Sequence, residues 1–298
     1  MTDWLLANPD AGDGERNGDF WSDCLSDAGI SDLRRCDLKD LQWTRSVSSE
    51  DRLLAAGGDG SINAAAKICL QTGATLAVLP SGTANDFFRN LGIDNDPESI
   101  CQAVANGQTQ SVDVSEYQVE QQAENHSGIF LNVAHVGLGT MPARDANAGR
   151  NVKRRFGRLT YSLSLFRRIA TRQGFRAVIQ TDQAIMSGRW LSIAVANGRY
   201  FGGGSEIPGA GIETGGLVIL AIRPASILSL ISAFIHTRLL GRPPKDNRTV
   251  VEILSPWCRI TTRHPKTVTV DGDVAGKTPF RATCQAGKLR VIRGQSAQ

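Results

Sequence analysis

LLAAGGDG occupies residues 53–60 and VLPSGTAND occupies residues 78–86, with the two glycine turns about 22 residues apart. Each stretch consists of a short apolar strand, a glycine-rich turn and the start of a helix. That geometry directs backbone N–H groups and the helix dipole at a phosphate chain. Two such turns would lie side by side at the carboxyl ends of parallel strands, where open α/β sheets bind ligands. The pair predicts a nucleotide site.

Residues 1–117 alternate short apolar strands with helical segments, which is the βαβ pattern of a parallel sheet. Asp96-Pro97 predicts a helix start and Asn106-Gly107 its end. We therefore expect an N-terminal α/β domain with a parallel sheet over residues 1–117. The predicted strands are 4–7, 32–36, 52–56 and 75–79, and the predicted helices are 61–70, 86–91 and 97–106.

Residues 118–298 are rich in short strands separated by turns, which is typical of a mainly antiparallel, β-sandwich-like domain. Two helical segments, Arg155–Thr171 and Ser226–Leu240, interrupt this second domain, and the polar stretch Gln118–Ser127 predicts a linker or a hairpin tip. The C-terminal segment, about 286–298, is a candidate to pack back onto the first domain. The predicted strands are 129–134, 177–181, 191–196, 217–222, 250–254, 259–262, 267–270, 280–284 and 288–292.

Composition limits the class of protein. The chain has 298 residues, 41% of them hydrophobic and 21% charged, and a net charge of +4. That charge is too small to indicate nucleic acid, although it suits an anionic substrate or a membrane surface. The six cysteines stand singly, which excludes a sequence-local zinc motif and favours a reduced, cytoplasmic protein. The opening MTDWLLANPD has no signal-peptide pattern.

The first turn carries three glycines and one carboxylate. Gly57, Gly58 and Gly60 allow backbone amides to approach phosphate oxygens, although an ordinary strand–helix turn also uses glycines for packing. Asp59 would be repelled by a bound phosphate unless it holds a metal or accepts a proton. In the second turn, Thr83 and Asn85 can hydrogen-bond phosphate or ribose, and Asp86 is predicted to cap the helix that follows.

Asp271-Gly272-Asp273 follows the alternating strand TVTV at 267–270. Two carboxylates that flank a glycine could position a general base on an acceptor hydroxyl. A polar hairpin turn is the alternative interpretation.

These motifs resemble the diacylglycerol kinase and sphingosine kinase catalytic-domain family, especially its bacterial lipid-kinase branch. The matching stretches occur in the family's order and span most of the chain. They are Asn8-Pro9, Gly57–Asn63, Pro80–Arg89, Asn197–Gly204 and Val270–Asp273.

The resemblance implies an enzyme that uses ATP and Mg²⁺ to phosphorylate a lipid hydroxyl, diacylglycerol-like or sphingoid-like, at a membrane surface. It implies that residues 1–117 are the ATP-binding kinase domain and that residues 118–298 are the lipid-substrate domain. The catalytic candidates are Asp271, Asp273 and Asp59, and the resemblance leaves open whether Asp271 or Asp273 is the base. Asp59 is also the metal candidate, through Mg-ATP. The implied nucleotide-binding residues are Asn8, Pro9, Gly12, Gly57, Gly58, Asp59, Gly60, Ser61, Asn63, Ser81, Gly82, Thr83, Asn85 and Arg154.

The chain also departs from the family pattern. Thr214 stands where the family has an aspartate that helps to hold a structural magnesium, and Asp273 replaces a glutamate. A nucleotide-binding regulatory protein with impaired catalysis is therefore an alternative, and an NAD kinase, which shares GGDG, is another. Ser226–Leu240 is too short to span a bilayer, so it lies either at a membrane surface or in the core. We expect a cytoplasmic protein that reaches the inner membrane face peripherally, and a homodimer stays open.

Overall fold

The computed structural model of the chain describes residues 1–7, 15–120, 125–137, 174–226 and 249–294. Its strands and helices alternate at the start of the chain, and strands dominate from β5 onward. The helices are α1 (Gly18–Asp27), α2 (Asp59–Thr72), α3 (Asp86–Asn90) and α4 (Pro97–Asn106). The strands are β1 (Asp3–Ala7), β2 (Leu33–Cys36), β3 (Arg52–Gly57), β4 (Thr75–Pro80), β5 (Thr109–Glu120), β6 (Asn125–Phe130), β7 (Val133–Gly137), β8 (Phe175–Thr181), β9 (Ile185–Trp190), β10 (Ser192–Ala196), β11 (Tyr200–Phe201), β12 (Ser205–Glu206), β13 (Leu217–Ile222), β14 (Val250–Ser255), β15 (Trp257–Thr262), β16 (Thr267–Val270), β17 (Asp273–Lys277) and β18 (Phe280–Ile292).

The chain divides into two compact units. Unit 1 comprises Met1–Val114, the hairpin Tyr200–Ser205 and the C-terminal stretch from Ala286 onward. Unit 2 comprises Ser115–Arg199 and Glu206–Gln285. The mixed fold, with a parallel-rich sheet and a separate antiparallel sheet, confirms the predicted fold class.

Unit 1 is built on the parallel strands β2, β1, β3 and β4, in that order. Every residue of β3 and of β4 is buried, which explains why both read as nearly continuous apolar runs. The end of β18 joins β4 in parallel through Val291 and Leu76. The carboxyl ends of β3 and β4 carry the two glycine turns, so the sheet brings these turns to one edge.

Local sequence signals explain the helices of unit 1. Asp96 caps α4 by accepting the N–H of Ser99 at 3.0 Å, and the helix ends at Gly107 with φ 65°, as predicted. The helix α1, whose cap Asn17 accepts the N–H of Phe20 at 2.9 Å, was not predicted. Its four buried and half-buried apolar positions, 20, 21, 24 and 25, follow the helical spacing, so the signal was present in the sequence.

Unit 2 is a sandwich of two antiparallel layers. One layer has the strand order β14-β13-β10-β7-β16-β17. The other is formed by β15, β8 and β9 with the first part of β18, and β5 pairs with β18 and β6. The core between the layers takes side chains from both, including Val136 and Ile219 from the first and Ile179, Trp190 and Phe280 from the second.

Two strand predictions for residues 118–298 were wrong. Residues 129–134 do not form one strand, because the chain turns at residues 131–132 between β6 and β7. Residues 280–292 form one strand where two were predicted, and Gly287, with φ 60°, lies within it and donates its N–H to Asp113. Asp271 binds the backbone at 131–133, and Asp113 binds the backbone of Gly287. Both contacts come from residues distant in sequence, so local periodicity does not reveal them.

The polar stretch at 118–127 belongs mainly to β5 and β6, which pair antiparallel from Ser115↔Phe130 to Glu120↔Asn125. The connection at 121–124 lies outside the described residues. Among the described helices, none is long and apolar enough to cross a membrane.

Candidate functional site

The two glycine turns lie against each other, backbone to backbone. Gly57 pairs with Pro80 at the ends of β3 and β4, and the N–H of Ser81 donates to the carbonyl of Gly57 at 3.0 Å. A Cβ on Gly82 would lie 2.6 Å from the Cα of Gly58, and a Cβ on Gly58 would lie 3.4 Å from the Cα of Gly82. Gly82 is therefore required by the close approach of the two turns.

Gly60 has a different environment. It is exposed in the first turn of α2, and a Cβ built on it meets no atom within 4 Å. Its φ also lies outside the left-handed region, so nothing in the described protein requires a glycine there. Gly58 is the N-cap of α2 and supplies no side chain to the N–H groups of the first turn. These N–H groups are the donors that an anionic ligand binds at a helix N-terminus.

The carboxylate of Asp59 faces the neighbouring turn. Its oxygens accept the backbone N–H groups of Asp86 at 3.3 Å and Phe87 at 3.1 Å, and thereby cap the start of α3. The sequence predicted a metal or a proton at Asp59 and did not predict this structural role.

Asn85 and Ser81 hold the second turn in shape. The amide of Asn85 accepts the N–H of Gly82 at 3.1 Å and donates to the carbonyl of Gly82 at 2.7 Å, with the backbone of Asn85 in the left-handed region at φ 49°. The hydroxyl of Ser81 accepts the indole N–H of Trp21 at 2.9 Å. Thr83, by contrast, is exposed, and its hydroxyl makes no hydrogen bond within the described part of the chain. It is the side chain in this turn that is open to a ligand.

The remaining candidates of the first turn lie on α2. Ser61 is buried, with 7% of its surface exposed, and Asn63 is half-buried. Both follow Gly60 on the first turns of the helix, so the structure brings them together with the glycine turn.

Asp86 does not cap α3 with its side chain, which corrects the sequence prediction. The N-cap residue is Asn85, and the buried carboxylate of Asp86 accepts the N–H groups of Gly203 and Gly204 at 2.8–3.1 Å. Gly202, Gly203 and Gly204 all have positive φ, from 60° to 98°, a run that only glycines adopt without strain. Asp59 and Asp86 therefore join three of the sequence motifs within unit 1.

The two carboxylates of the Asp271-Gly272-Asp273 turn have different surroundings. Asp271, at φ 46°, accepts three backbone N–H groups, from Leu131 and Asn132 at 2.9 Å and from Val133 at 3.1 Å. Asp273 is exposed, and its carboxylate makes no hydrogen bond or ion pair within the described residues. The carboxylate of Asp271 is thus occupied by backbone hydrogen bonds, whereas that of Asp273 is available for chemistry.

Sequence reasoning missed the residues that complete the turn at 131–133. The fully buried Asn197 donates from its amide to the carbonyl of Leu131 at 3.0 Å and accepts the hydroxyl of Ser115 at 2.7 Å. The N–H groups of Asn197 and Gly198 also donate to the carbonyl of Asn132 at 2.8 and 3.0 Å. The Asn197-Gly198 pair was the one sequence signal for this turn, but it does not reveal its partners because they are distant in sequence.

Several predicted features lie outside the described residues. They are the nucleotide-binding candidates Asn8, Pro9, Gly12 and Arg154, the helical segment 155–171, and all but the first residue of the segment 226–240.

The residues at 211–216 do not fit the structural magnesium that the family implies. The hydroxyl of Thr214 lies 3.0 Å from the carbonyl oxygen of Gly211 and 2.9 Å from that of Gly216. A neutral hydroxyl is thus within hydrogen-bond distance of both carbonyl oxygens, whereas Mg²⁺ favours sites with carboxylate ligands. Within the described residues there is also no group of three or more His, Cys, Asp or Glu side chains that could hold a metal ion.

Two family profiles match the chain. The profile described as "Diacylglycerol kinase catalytic domain" matches residues 3–117, and the one described as "YegS C-terminal NAD kinase beta sandwich-like domain" matches residues 132–293. A "Probable lipid kinase YegS-like" of Klebsiella pneumoniae (strain 342) is 30% identical over 243 residues, which cover 80% of this chain and 77% of that protein. A "Probable lipid kinase YegS" of Escherichia fergusonii is 28% identical, over 80% of this chain and 76% of that protein.

Solved structures share the fold. A "putative diacylglycerol kinase" from Bacillus anthracis str. Sterne superimposes with a TM-score of 0.77 at 23% identity, covering 100% of this chain and 96% of that chain. A second diacylglycerol kinase structure from the same organism gives a TM-score of 0.71 at 21% identity, covering 100% of this chain and 98% of that chain.

The catalytic-domain profile and the lipid-kinase relatives identify an enzyme of the lipid-kinase class. The chain belongs to the diacylglycerol kinase catalytic-domain family, in the group with a YegS-type C-terminal domain.

Proposed function

We propose that the protein transfers the γ-phosphoryl group of ATP to the hydroxyl of a membrane lipid. The observation that carries this proposal is the pair of contacting glycine turns in unit 1. They present the amides at the start of α2, the open space at Gly60 and the exposed hydroxyl of Thr83. A triphosphate is the ligand class that suits a helix N-terminus whose N-cap residue has no side chain.

Mg²⁺ would accompany ATP and offset the charge of its phosphates. Both oxygens of Asp59 accept backbone N–H groups, so we assign Asp59 to shaping the turn that receives Mg-ATP. A direct contact between Asp59 and the ion remains the prediction made from the sequence.

Asp273 is the general base in this proposal. Its exposed carboxylate removes the proton from the lipid hydroxyl as the oxygen forms a bond to the γ-phosphorus. The bond from that phosphorus to the bridging oxygen breaks, and ADP leaves. Asp271 supports the turn through its three backbone N–H partners.

The acceptor is a diacylglycerol-like or sphingoid-like lipid, consistent with the lipid-kinase names of the relatives. Such a lipid stays in the bilayer, so the enzyme would work peripherally at the inner membrane face, from the cytoplasm. The net charge of +4 suits an anionic surface.

An NAD kinase-like activity is the second candidate. The observation that favours it is the match of residues 132–293 to a domain described as NAD kinase beta sandwich-like. In that case the acceptor hydroxyl would belong to a soluble dinucleotide.

ADP formation separates the candidates. The protein is mixed with Mg-ATP and one of three additions: vesicles that contain diacylglycerol or sphingosine, NAD, or vesicles without either acceptor. The proposal expects ADP above the background rate only with the acceptor lipid. Stimulation by NAD alone would replace it with the second candidate, and ATP binding with no stimulation by any acceptor would favour a regulatory protein.

A further inference from the structure

Tyr117 lies on β5, near enough to the Asp271-Gly272-Asp273 turn for the charges of both carboxylates to act on its phenol. Its half-buried ring packs near Phe130, with ring centroids 6.5 Å apart, and near Phe280, with centroids 6.4 Å apart. Both phenylalanines are fully buried members of the core of unit 2. The ring is therefore anchored on one side by the core of the sandwich.

Gly128, the cross-strand partner of Tyr117 on β6, makes room for the outer end of the phenol. A Cβ on Gly128 would lie 2.9 Å from both Cε1 and Oη of Tyr117 and 3.0 Å from Cζ. Gly128 does not have a positive φ, so the backbone conformation does not require a glycine. The ring is what excludes a side chain there, and Gly128 and the core together fix the position of the hydroxyl.

The hydroxyl of Tyr117 makes no hydrogen bond within the described residues. Burial and then the negative charges of Asp271 and Asp273 raise the pKa of the phenol, so it stays protonated at neutral pH. It is available there as a donor. Packing does not account for this polar atom, because phenylalanine would keep the same ring contacts.

The turn beside Tyr117 is the one that carries the proposed base. Ser115, two residues before Tyr117 and therefore on the same face of β5, hydrogen-bonds Asn197. Asn197 in turn holds Leu131, whose N–H binds Asp271. The strand that carries Tyr117 is thus linked by hydrogen bonds to the turn at 271–273 within unit 2.

We propose that Tyr117 is a substrate-positioning residue. Its hydroxyl donates a hydrogen bond to an ester oxygen next to the reacting alcohol of the lipid and so holds that alcohol at Asp273. The assignment rests on the proposed function and deepens it, because it selects an acceptor with an ester oxygen beside its free hydroxyl, as in a diacylglycerol. A long-chain alcohol without that oxygen gains nothing from the tyrosine.

The test compares Tyr117→Phe with the wild type on two acceptors in the same vesicles, a diacylglycerol and a long-chain alcohol that lacks the ester. Tyr117→Phe should raise the KM for diacylglycerol about three- to tenfold, the loss expected for one neutral hydrogen bond. The KM for ATP, the thermal midpoint and the turnover of the plain alcohol should stay within twofold. An unchanged KM for diacylglycerol, or an equal loss on both acceptors, would overturn the assignment.

Gly128→Ala provides an independent check, because its Cβ displaces the phenol while leaving the hydroxyl in the protein. The folded variant should show the same selective loss on diacylglycerol as Tyr117→Phe. Retention of full diacylglycerol selectivity by Gly128→Ala would contradict the proposal. If the wild type phosphorylates neither acceptor, the proposed function itself fails, an outcome distinct from a Tyr117 variant with normal kinetics.

Discussion

The carboxylate of Asp59 caps the helix that begins at Asp86, accepting the backbone N–H groups of Asp86 at 3.3 Å and Phe87 at 3.1 Å. The carboxylate of Asp86 then accepts the N–H groups of Gly203 and Gly204. Asp59, in the first glycine turn, thus shapes the second turn, and Asp86, in the second turn, shapes the glycine motif at 202–204. Substitution of either should therefore change the shape of the nucleotide turns as well as the local charge.

Asp59→Asn should lower the free energy of unfolding by about 1–2 kcal/mol, because one amide oxygen replaces two charged acceptors at the start of α3. The affinity for Mg-ATP should fall with it. Chemical denaturation and nucleotide titration measure the two effects, with Asp23→Asn, on the exposed surface of α1, as the control. Normal stability combined with lost activity would instead indicate a direct metal or proton role for Asp59.

Gly60→Ala and Gly82→Ala should have opposite effects on stability. Alanine at Gly60 meets no protein atom and favours the helix by up to about 1 kcal/mol, yet its methyl group would intrude on a bound phosphate. This variant should fold normally and bind ATP weakly. Alanine at Gly82 would collide with the backbone of Gly58 and should destabilise the fold. Thermal melts and ATP titrations test the two variants. Normal ATP affinity in Gly60→Ala would show that the phosphates do not bind at the start of α2.

Asp273→Asn should lower kcat by about 10²–10⁴ while leaving stability and ATP affinity nearly unchanged, because it removes only the proton acceptor. Asp271→Asn should instead destabilise the protein by about 1–3 kcal/mol, because an amide cannot accept three N–H groups as a carboxylate does. Steady-state kinetics and denaturation on both variants decide the assignment. A wild-type kcat in Asp273→Asn would show that another carboxylate is the base.

The thermal midpoint of the wild type should not change when divalent ions are removed with EDTA in the absence of nucleotide. Thr214 stands where the family has a magnesium ligand, and its hydroxyl is within hydrogen-bond distance of the carbonyl oxygens of Gly211 and Gly216. Thr214→Val should lower stability by about 0.5–1 kcal/mol and Thr214→Ser should restore it. A drop in the wild-type midpoint with EDTA, reversed by Mg²⁺, would show that a metal holds this loop after all.

Stability should fall as the pH is lowered from about 6.5 to about 4, in part because of His135. Burial lowers the pKa of His135 from 6.5 to about 4. The unfolded chain therefore takes up a proton at a pH where the folded protein resists it, so this contribution is complete above pH 6.5. The contribution is at most roughly 3 kcal/mol. His135→Gln should flatten the profile in this window relative to His264→Gln at an exposed position, and identical slopes for the two variants would rule out His135.

Local sequence signals predicted the parts of the fold that local physics determines. The buried runs of β3 and β4, the cap at Asp96 and the stop at Gly107 follow from hydrophobicity and backbone preferences alone. The two-domain α/β and β-sandwich class followed from the change of rhythm along the chain. The helix α1 was missed although its apolar positions follow the helical spacing.

The side-chain partners within the site could not be predicted in the same way. The carboxylate of Asp271 binds N–H groups about 140 residues earlier in the chain, and Asp86 binds glycines nearly 120 residues later. Nothing in the local pattern distinguishes an aspartate with such partners from an exposed one such as Asp273. Those contacts require the folded backbone.

Transfer of label from γ-labelled ATP into the lipid fraction tests the central claim most directly. With Mg²⁺ and diacylglycerol vesicles, the wild type should place one labelled phosphate on the lipid for each ADP formed, and Asp273→Asn should place almost none. Label that appears only as inorganic phosphate, or only on NAD when NAD is added, would contradict the account.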